Sequence, residues 1–163
     1  MTLDLADFEA FFTENHGYPP FAWQMRLVRH VLDAGAWPEA IVAPTGTGKT
    51  SVIDVHAFAN AVAHERGLKL PRRLVMTVNR RSLVDSHAEH AKELAAQLEA
   101  APDGSVTRQV ADLLRARSAH DGSAGPPLSV HTIRGGLPVG RDWRQAVSSC
   151  AVSSSQSRRI RAA

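Results

Sequence analysis

One segment of the sequence combines residue types that bind the phosphate groups of a nucleotide. It runs from Ala43 to Thr50 and reads Ala-Pro-Thr-Gly-Thr-Gly-Lys-Thr, which fits the phosphate-binding loop pattern with alanine where glycine is more common. Gly46 and Gly48 allow the backbone to turn with positive φ and to direct amide N–H groups at phosphate oxygens. The alternative is a glycine turn beside a solvated lysine.

The loop residues have distinct expected roles in binding ATP and Mg²⁺. The Lys49 ammonium is expected to reach the β- and γ-phosphates, and the Thr50 hydroxyl is expected to ligate the ATP-bound Mg²⁺. These two are the candidate catalytic residues, and Thr50 is the candidate metal ligand. The amides and the dipole of the helix after the loop favour an anion. The candidate nucleotide-binding residues of the loop are Pro44, Thr45, Gly46, Thr47, Gly48, Lys49 and Thr50.

Strands and helices are predicted to alternate on either side of this loop. The apolar run Ala40–Ala43 predicts a buried strand that leads into the loop, and the spacing after it predicts a helix over Lys49–Glu65. Apolar spacing predicts further helices over 3–15, 22–35, 82–101 and 106–117, and further strands over 73–78 and 128–133. This alternation predicts an α/β domain with a parallel sheet.

Composition limits the classes of protein to which the chain can belong. Its 163 residues suit a single domain, and 44% hydrophobic with 21% charged residues is globular rather than disordered. A single cysteine, Cys150, excludes a disulfide framework and a cysteine zinc site. No apolar run is long enough to span a membrane, and Met1–Glu14 carries no basic side chain, which excludes a secretory signal. A cytoplasmic protein without a membrane partner is therefore expected.

The segment before the loop resembles the corresponding part of superfamily 2 helicases. It reads Pro20-Phe21-Ala22-Trp23-Gln24 and precedes an amphipathic helix, and the Pro-Thr-Gly-Thr-Gly-Lys-Thr loop is also typical of that superfamily. The resemblance implies that Gln24 reads the edge of adenine, for which an amide that both donates and accepts is suited. The alternative is a glutamine that is merely solvated.

Three more segments resemble the CRISPR-associated type I helicase–nucleases, above all the I-U (I-G) subtype. They are Arg73–Asp85, with its valine-rich strand and paired arginines, Ile133–Pro138, with its Arg-Gly-Gly sequence, and Trp37–Ile41. The resemblance covers roughly residues 5–144. It implies a partial RecA-like P-loop NTPase domain, α/β with a parallel sheet and flanking helices, in an enzyme that uses ATP to translocate on target DNA and degrade it.

The same resemblance implies contacts with nucleic acid. In such helicases the segments after the second and third strands touch the backbone of a single strand, which makes Arg80, Arg81 and Arg134 the candidate phosphate contacts. The alternative is that these arginines are solvated or pair with Asp85. The implied partners are single-stranded DNA and the CRISPR surveillance complex, and the oligomeric state stays open.

Parts of the helicase machinery are missing from the sequence. No Asp-Glu dipeptide occurs in it, so the acidic box that holds the Mg²⁺ shell during hydrolysis is absent, as are a second motor domain and a nuclease domain. Whether the chain is itself an enzyme therefore stays open. The expected organisation is a helical segment with the adenine-reading glutamine over 1–38, a partial RecA-like ATP-binding domain over 39–144, and an irregular Ser/Arg-rich tail, disordered or aberrant, over 145–163.

This organisation leads us to expect that the chain is the N-terminal part of a longer enzyme. Its reading frame is expected to depart from that of the family near Gln145. Five arginines against one acid in 141–163 account for the net charge of +3, so that charge does not by itself indicate nucleic-acid binding.

Two further function hypotheses stay open. One is a fragment of a different DNA or RNA helicase, and the other is a non-catalytic nucleotide-binding module or pseudogene product.

The histidines predict no metal site, and the cysteine predicts no catalytic site. His120-Asp121 lies in a predicted Gly/Ser loop and has no partner histidines at ligand spacing. His87 and His90 lie three apart on a predicted helix without an evident third ligand, which favours a solvated helix face. Cys150 has no structural context for a nucleophile.

Overall fold

Helices dominate the architecture. The computed structural model describes residues 2–44, 46–78, 81–118, 125–133 and 149–154. In chain order its elements are α1 (Asp7–His16), α2 (Ala22–Ala34), a 3-10 helix (Lys49–Ser51), α3 (Val52–Arg66), β1 (Arg73–Val78), α4 (Arg81–Ala100), α5 (Val106–Ser118), β2 (Ser129–Ile133) and β3 (Ser149–Ser154). Within the described ranges, none of these helices combines the length and the apolar character that a membrane crossing requires.

The helices predicted from apolar spacing are confirmed to within a few residues. The long alanine- and leucine-rich segment forms α4, and the predicted helix after the loop forms the 3-10 helix together with α3. Glycines mark two of the ends, since Gly35 follows α2 and Gly67 follows α3. At the start of α1, the Asp7 carboxylate accepts a hydrogen bond from the backbone N–H of Asp4 at 2.8 Å.

The centre of the structure is α3. Every residue from Ile53 to Ala63 is buried, which is the environment that a helix without a continuous polar face requires. The Phe58 ring lies 5.3 Å from that of Phe8 and 5.6 Å from that of Phe11, measured between centroids, so α1 packs directly on α3. Buried side chains of α2, α4 and α5 complete the same core, among them Leu27, Val28, Val31, Leu94, Leu98, Val110 and Leu114.

Polar side chains at the end of α1 join it to α5 and α4. The Glu14 carboxylate accepts hydrogen bonds from the backbone N–H groups of Val106 and Thr107 at 3.2 and 2.8 Å. These are donors that the first turn of α5 cannot satisfy internally, and the acid also complements the helix dipole. The Asn15 amide donates to the Thr107 hydroxyl at 3.0 Å, and the Gln97 amide of α4 donates to the Asn15 carbonyl at 2.8 Å.

The three strands form a small parallel sheet in the order β1-β3-β2. β3 lies between the other two, with Ser149 opposite both Arg73 and Ser129, so β1 and β2 are not neighbours. β3 belongs to the segment 145–163 that was predicted to be irregular, and the rest of that segment lies outside the described residues. The predicted strands over 73–78 and 128–133 are confirmed as β1 and β2.

The predicted fold class, a partial RecA-like α/β domain with a parallel sheet and flanking helices, is wrong. Among the residues whose side chains the structure describes, 60% are helical and only 8% lie in strands. The strands among these residues are β1 and β2, which do not pair with each other. Parallel sheets in α/β folds are buried on both faces. In β1, exposed residues alternate with partly buried ones, so the sheet lies at the margin of a helical core instead of forming its centre.

The predicted strand before the loop also does not form. Residues 40–44 have no strand or helix structure, and the side chains of Ile41 and Val42 are 42% and 96% exposed. An apolar run is stable as a buried strand only when neighbouring strands pair with it, and β1, β2 and β3 pair among themselves. The sequence pattern contained the β-branched residues of a strand but not the partner that it needs.

We expect Phe58→Ala to destabilise the chain by about 3–5 kcal/mol, because it removes the ring that joins α3 to α1 and leaves a cavity in the core. Urea unfolding followed by circular dichroism measures this loss. The matched control is Val42→Ala, an exposed apolar side chain, which should change the free energy of unfolding by less than about 0.5 kcal/mol. Equal effects of the two substitutions would contradict the central position of α3.

Candidate phosphate-binding loop and buried histidine–aspartate cluster

The loop before α3 has the backbone geometry that its glycines predict. Gly46 and Gly48 have φ of +80° and +65°, the left-handed region that side chains other than hydrogen disfavour. A Cβ atom at Gly48 would also lie 3.4 Å from the Gln24 amide nitrogen and 3.6 Å from the Phe21 ring. Glycine at position 48 therefore provides the turn, whereas a Cβ atom there would make ordinary contacts with α2.

Residues of α2 hold this loop in place. The Trp23 indole N–H donates to the Thr47 carbonyl at 2.8 Å, and the Gln24 amide donates to the Gly48 carbonyl at 3.4 Å. Inside the loop, the Thr47 hydroxyl donates to the Pro44 carbonyl at 2.7 Å. These three bonds use carbonyl groups, and the amide N–H groups of the loop are the groups that a phosphate binds.

The predicted catalytic residues lie where the loop meets the helix. Lys49 is exposed and begins the 3-10 helix, Thr50 is half-buried, and Ser51 is buried immediately before α3. An exposed ammonium at the N-terminal end of a 15-residue helix is a favourable arrangement for a phosphate anion. Thr45 lies outside the described residues, and the roles of the other loop residues in binding a nucleotide stay predictions.

Gln24 is placed differently from a side chain that faces a ligand. It is fully buried, and its Oε1 accepts a hydrogen bond from the backbone N–H of Phe21 at 2.7 Å while its amide donates to Gly48. In this arrangement the side chain joins the start of α2 to the loop. To contact adenine, the Gln24 amide would have to break its hydrogen bonds to Phe21 and Gly48. The adenine-reading role of Gln24 stays a prediction.

Of the three predicted DNA-contacting arginines, Arg81 alone has its backbone in the described part of the chain. Arg81 begins α4, close in sequence to the carboxyl end of β1, where a helix N-terminus suits a phosphate group. Arg80 and Arg134 lie outside the described residues. Their predicted contacts with single-stranded DNA stay predictions.

A second group of polar side chains lies inside the helical core, and the sequence pattern did not reveal it. His16 at the end of α1, Asp54 in the first turn of α3 and His90 on α4 meet at one point. The two Nε2 atoms lie 2.9 and 2.8 Å from Oδ1 and Oδ2 of Asp54, so each histidine contacts its own carboxylate oxygen. The imidazole rings are stacked at 5.5 Å between centroids with an interplanar angle of 6°.

Burial and hydrogen bonding act in opposite directions on these groups. Burial alone would raise the pKa of the Asp54 carboxyl, but hydrogen bonds from His16 and His90 hold that pKa below its usual value. Burial also disfavours the charged form of His90, yet the hydrogen bond and the charge of Asp54, with a contribution from Glu93, raise the pKa of His90. The two hydrogen bonds therefore favour the ionised form of Asp54 inside the core.

The sequence did carry one signal for this cluster. Asp54 is an acid in the middle of the otherwise apolar segment Val52–Val55, and a buried carboxylate needs partners. Which partners it finds depends on residues 38 and 36 positions away along the chain, and no local spacing indicates them. The spacing of His87 and His90 predicts a solvated helix face, but His90 is half-buried and contacts Asp54.

A cavity at the other end of α3 is a further concave surface. Its lining includes His64, Lys69, Arg72 and Arg117. The Arg117 guanidinium donates to the carbonyls of Asn60 and Leu70 at 3.0 and 2.8 Å, so its donors are engaged in holding the chain after α3. We assign Arg117 a role in stabilising this turn.

Comparisons with models of protein families, with curated proteins and with solved structures return no match for this chain.

Trp23→Phe should loosen the phosphate-binding loop, because it retains most of the ring and removes the donor to the Thr47 carbonyl. We expect a loss of about 1 kcal/mol in stability and faster amide hydrogen exchange over residues 46–50, measured by mass spectrometry. Trp37→Phe, which retains an aromatic ring beside His56, is the control and should leave exchange in the loop unchanged. Unchanged exchange in both variants would show that the indole does not hold the loop.

Proposed function

We propose that this chain binds ATP with Mg²⁺ through the loop that contains residues 44–50. The observation that carries the proposal is the loop geometry: two glycines with positive φ lead directly into the N-terminal end of α3, with Lys49 exposed beside them. In this role the loop amides bind phosphate oxygens, Lys49 contacts the β- and γ-phosphates, and Thr50 ligates the Mg²⁺ that accompanies ATP. We place this activity in the cytoplasm.

We further propose that the nucleotide site serves an ATP-dependent superfamily 2 helicase, specifically a CRISPR type I interference helicase–nuclease that unwinds and degrades target DNA. The support is the sequence resemblance over roughly residues 5–144, together with the glutamine-containing segment before the loop. Single-stranded DNA and the CRISPR surveillance complex are the corresponding partners. Because the sequence contains no Asp-Glu acidic box, we expect this chain to bind ATP and to hydrolyse it slowly or not at all.

Binding of ATP with Mg²⁺ to the purified chain, measured by isothermal titration calorimetry, tests the nucleotide site. Saturable binding is expected for the natural sequence, and Lys49→Ala should weaken it by about 10- to 100-fold, since a hydrogen bond to a charged group contributes about 1.5–3 kcal/mol. The matched control is Lys69→Ala. Lys69 is also exposed, but it follows the opposite end of α3, so its loss should leave ATP affinity unchanged. Equal affinities for ATP in all three proteins would refute the loop as the nucleotide site.

Affinity for single-stranded DNA as a function of salt concentration tests the helicase assignment. The double variant Arg80→Ala/Arg81→Ala should bind more weakly, and the slope of log K against log salt should decrease by about 0.7 for each phosphate that is no longer neutralised. Arg26→Ala/Arg29→Ala removes the same charge from two exposed positions of α2 and serves as the control. If both double variants lose affinity equally, the two arginines after β1 do not bind the strand specifically and a nucleotide-binding module without a DNA role is favoured.

A further inference from the structure

Three side chains of types that can ligate metals lie close together in the helical core, and none of them belongs to the loop over 44–50. His16, Asp54 and His90 come from three different helices, and their nearest ligand atoms all lie within 4.8 Å of one another. Both imidazoles present the same nitrogen, Nε2, towards the same carboxylate. The three residues therefore offer two nitrogen atoms and one carboxylate within the same small region of the core.

The two nitrogen–oxygen distances are those of hydrogen bonds and are somewhat shorter than the ligand–ligand distances around a tetrahedral metal ion. At metal–ligand distances of about 2.0–2.1 Å, two ligand atoms of a tetrahedral site lie about 3.3 Å apart. The two nitrogen–oxygen distances here are 2.9 and 2.8 Å. An ion between the carboxylate and the two rings would replace the protons shared between Nε2 and Asp54, which leave to solvent, and the side chains of these pairs would move by a few tenths of an ångström.

The surroundings also suit an ion with one exchangeable position. The Asp54 side chain is completely buried, whereas the side chains of His16 and His90 are 15% and 21% exposed, so one side of the cluster reaches water. On the inner side, the Phe12 ring lies 4.3 Å from the His16 ring between centroids. An apolar wall of this kind holds the ring in place and lowers the local dielectric, which strengthens the attraction between a cation and the buried carboxylate.

The ligand types decide which ion fits. Imidazole nitrogens favour borderline transition metals, whereas Mg²⁺ and Ca²⁺ require oxygen ligands. We propose that His16, Asp54 and His90 bind a divalent transition-metal ion of the zinc type, with water in the fourth coordination position. The site is distinct from the Mg²⁺ expected with ATP, because its ligands are two imidazoles and a buried carboxylate that does not belong to the loop.

A metal ion at this position joins α1, α3 and α4. Asp54 lies in the first turn of α3, four residues after Thr50. The ion therefore holds the helix that follows the loop, and its main effect is on the stability of the helical core. Because the site does not depend on nucleotide binding, a failure of the proposed ATP site leaves this proposal intact, and the reverse also holds.

Titration of the chelator-treated full chain with Zn²⁺, followed by calorimetry, tests the proposal. We expect one Zn²⁺ per chain, a rise in the melting temperature when Zn²⁺ is present, and no saturable binding of Mg²⁺ alone. Loss of an outer-shell partner of a metal ligand typically weakens metal binding by about 10- to 100-fold. His90→Ala removes a ligand itself, so it should weaken Zn²⁺ binding by more than that. His30→Ala removes an exposed histidine of α2 and should bind Zn²⁺ as the natural sequence does.

A measurement on the natural sequence keeps the test decisive if His90→Ala fails to fold. Nitrogen NMR of the imidazole rings should show that Zn²⁺ shifts the Nε2 resonances of His16 and His90 and leaves that of His30 in place. Absence of saturable Zn²⁺ binding, unchanged affinity in folded His90→Ala, or shifts confined to exposed histidines would each overturn the proposal. In that case the cluster is a hydrogen-bonded His–Asp–His group that stabilises the core without a metal.

Discussion

A carboxylate that is shielded completely from water lies at the centre of this structure, and the arrangement of three helices depends on it. A buried charge is costly unless it is paired and hydrogen-bonded, and Asp54 meets this requirement through one histidine of α1 and one of α4. Because α3 is buried along eleven consecutive residues, from Ile53 to Ala63, it cannot present Asp54 to solvent instead. The partners must come to the acid, and this fixes where α1 and α4 pack.

The same helix adjoins the residues on which both proposals rest. Its N-terminal end receives the glycine loop with Lys49 and Thr50, and its first turn contains Asp54. Burial makes α3 a rigid support, since a helix surrounded by close-packed side chains cannot shift without opening a cavity. Trp23 of α2 then attaches the loop to this support through its bond to the Thr47 carbonyl. A phosphate bound by the loop would therefore interact with backbone groups that are already positioned, which favours binding.

Local patterns predicted the helices of this chain well because the signals for helices are local. Apolar residues at a spacing of three and four, with a glycine after the last turn, placed α2 and the end of α3 to within one residue. The fold class was wrong because a sheet is not a local structure. The run Ala40–Ala43 has the composition of a strand, but hydrogen-bonding partners for it must come from elsewhere in the chain, and none of the described strands lies beside it. The sheet that does form has at its centre a strand, β3, from a serine-rich segment that no periodicity marked.

The sequence by itself determined the turn of the loop over 44–50, because a turn with positive φ depends on local residues, here Gly46 and Gly48. The proposed roles of Lys49 and Thr50 also rest on consecutive residues. The sequence also determined a helix over Lys49–Glu65, whereas the complete burial of Ile53–Ala63 is a result of the tertiary structure. Only the tertiary structure decided the neighbours of Asp54, the burial of Gln24 between α2 and the loop, and the marginal position of the sheet. These depend on contacts between residues far apart in the chain, whose energies are set by the packing of whole helices and which no short pattern encodes.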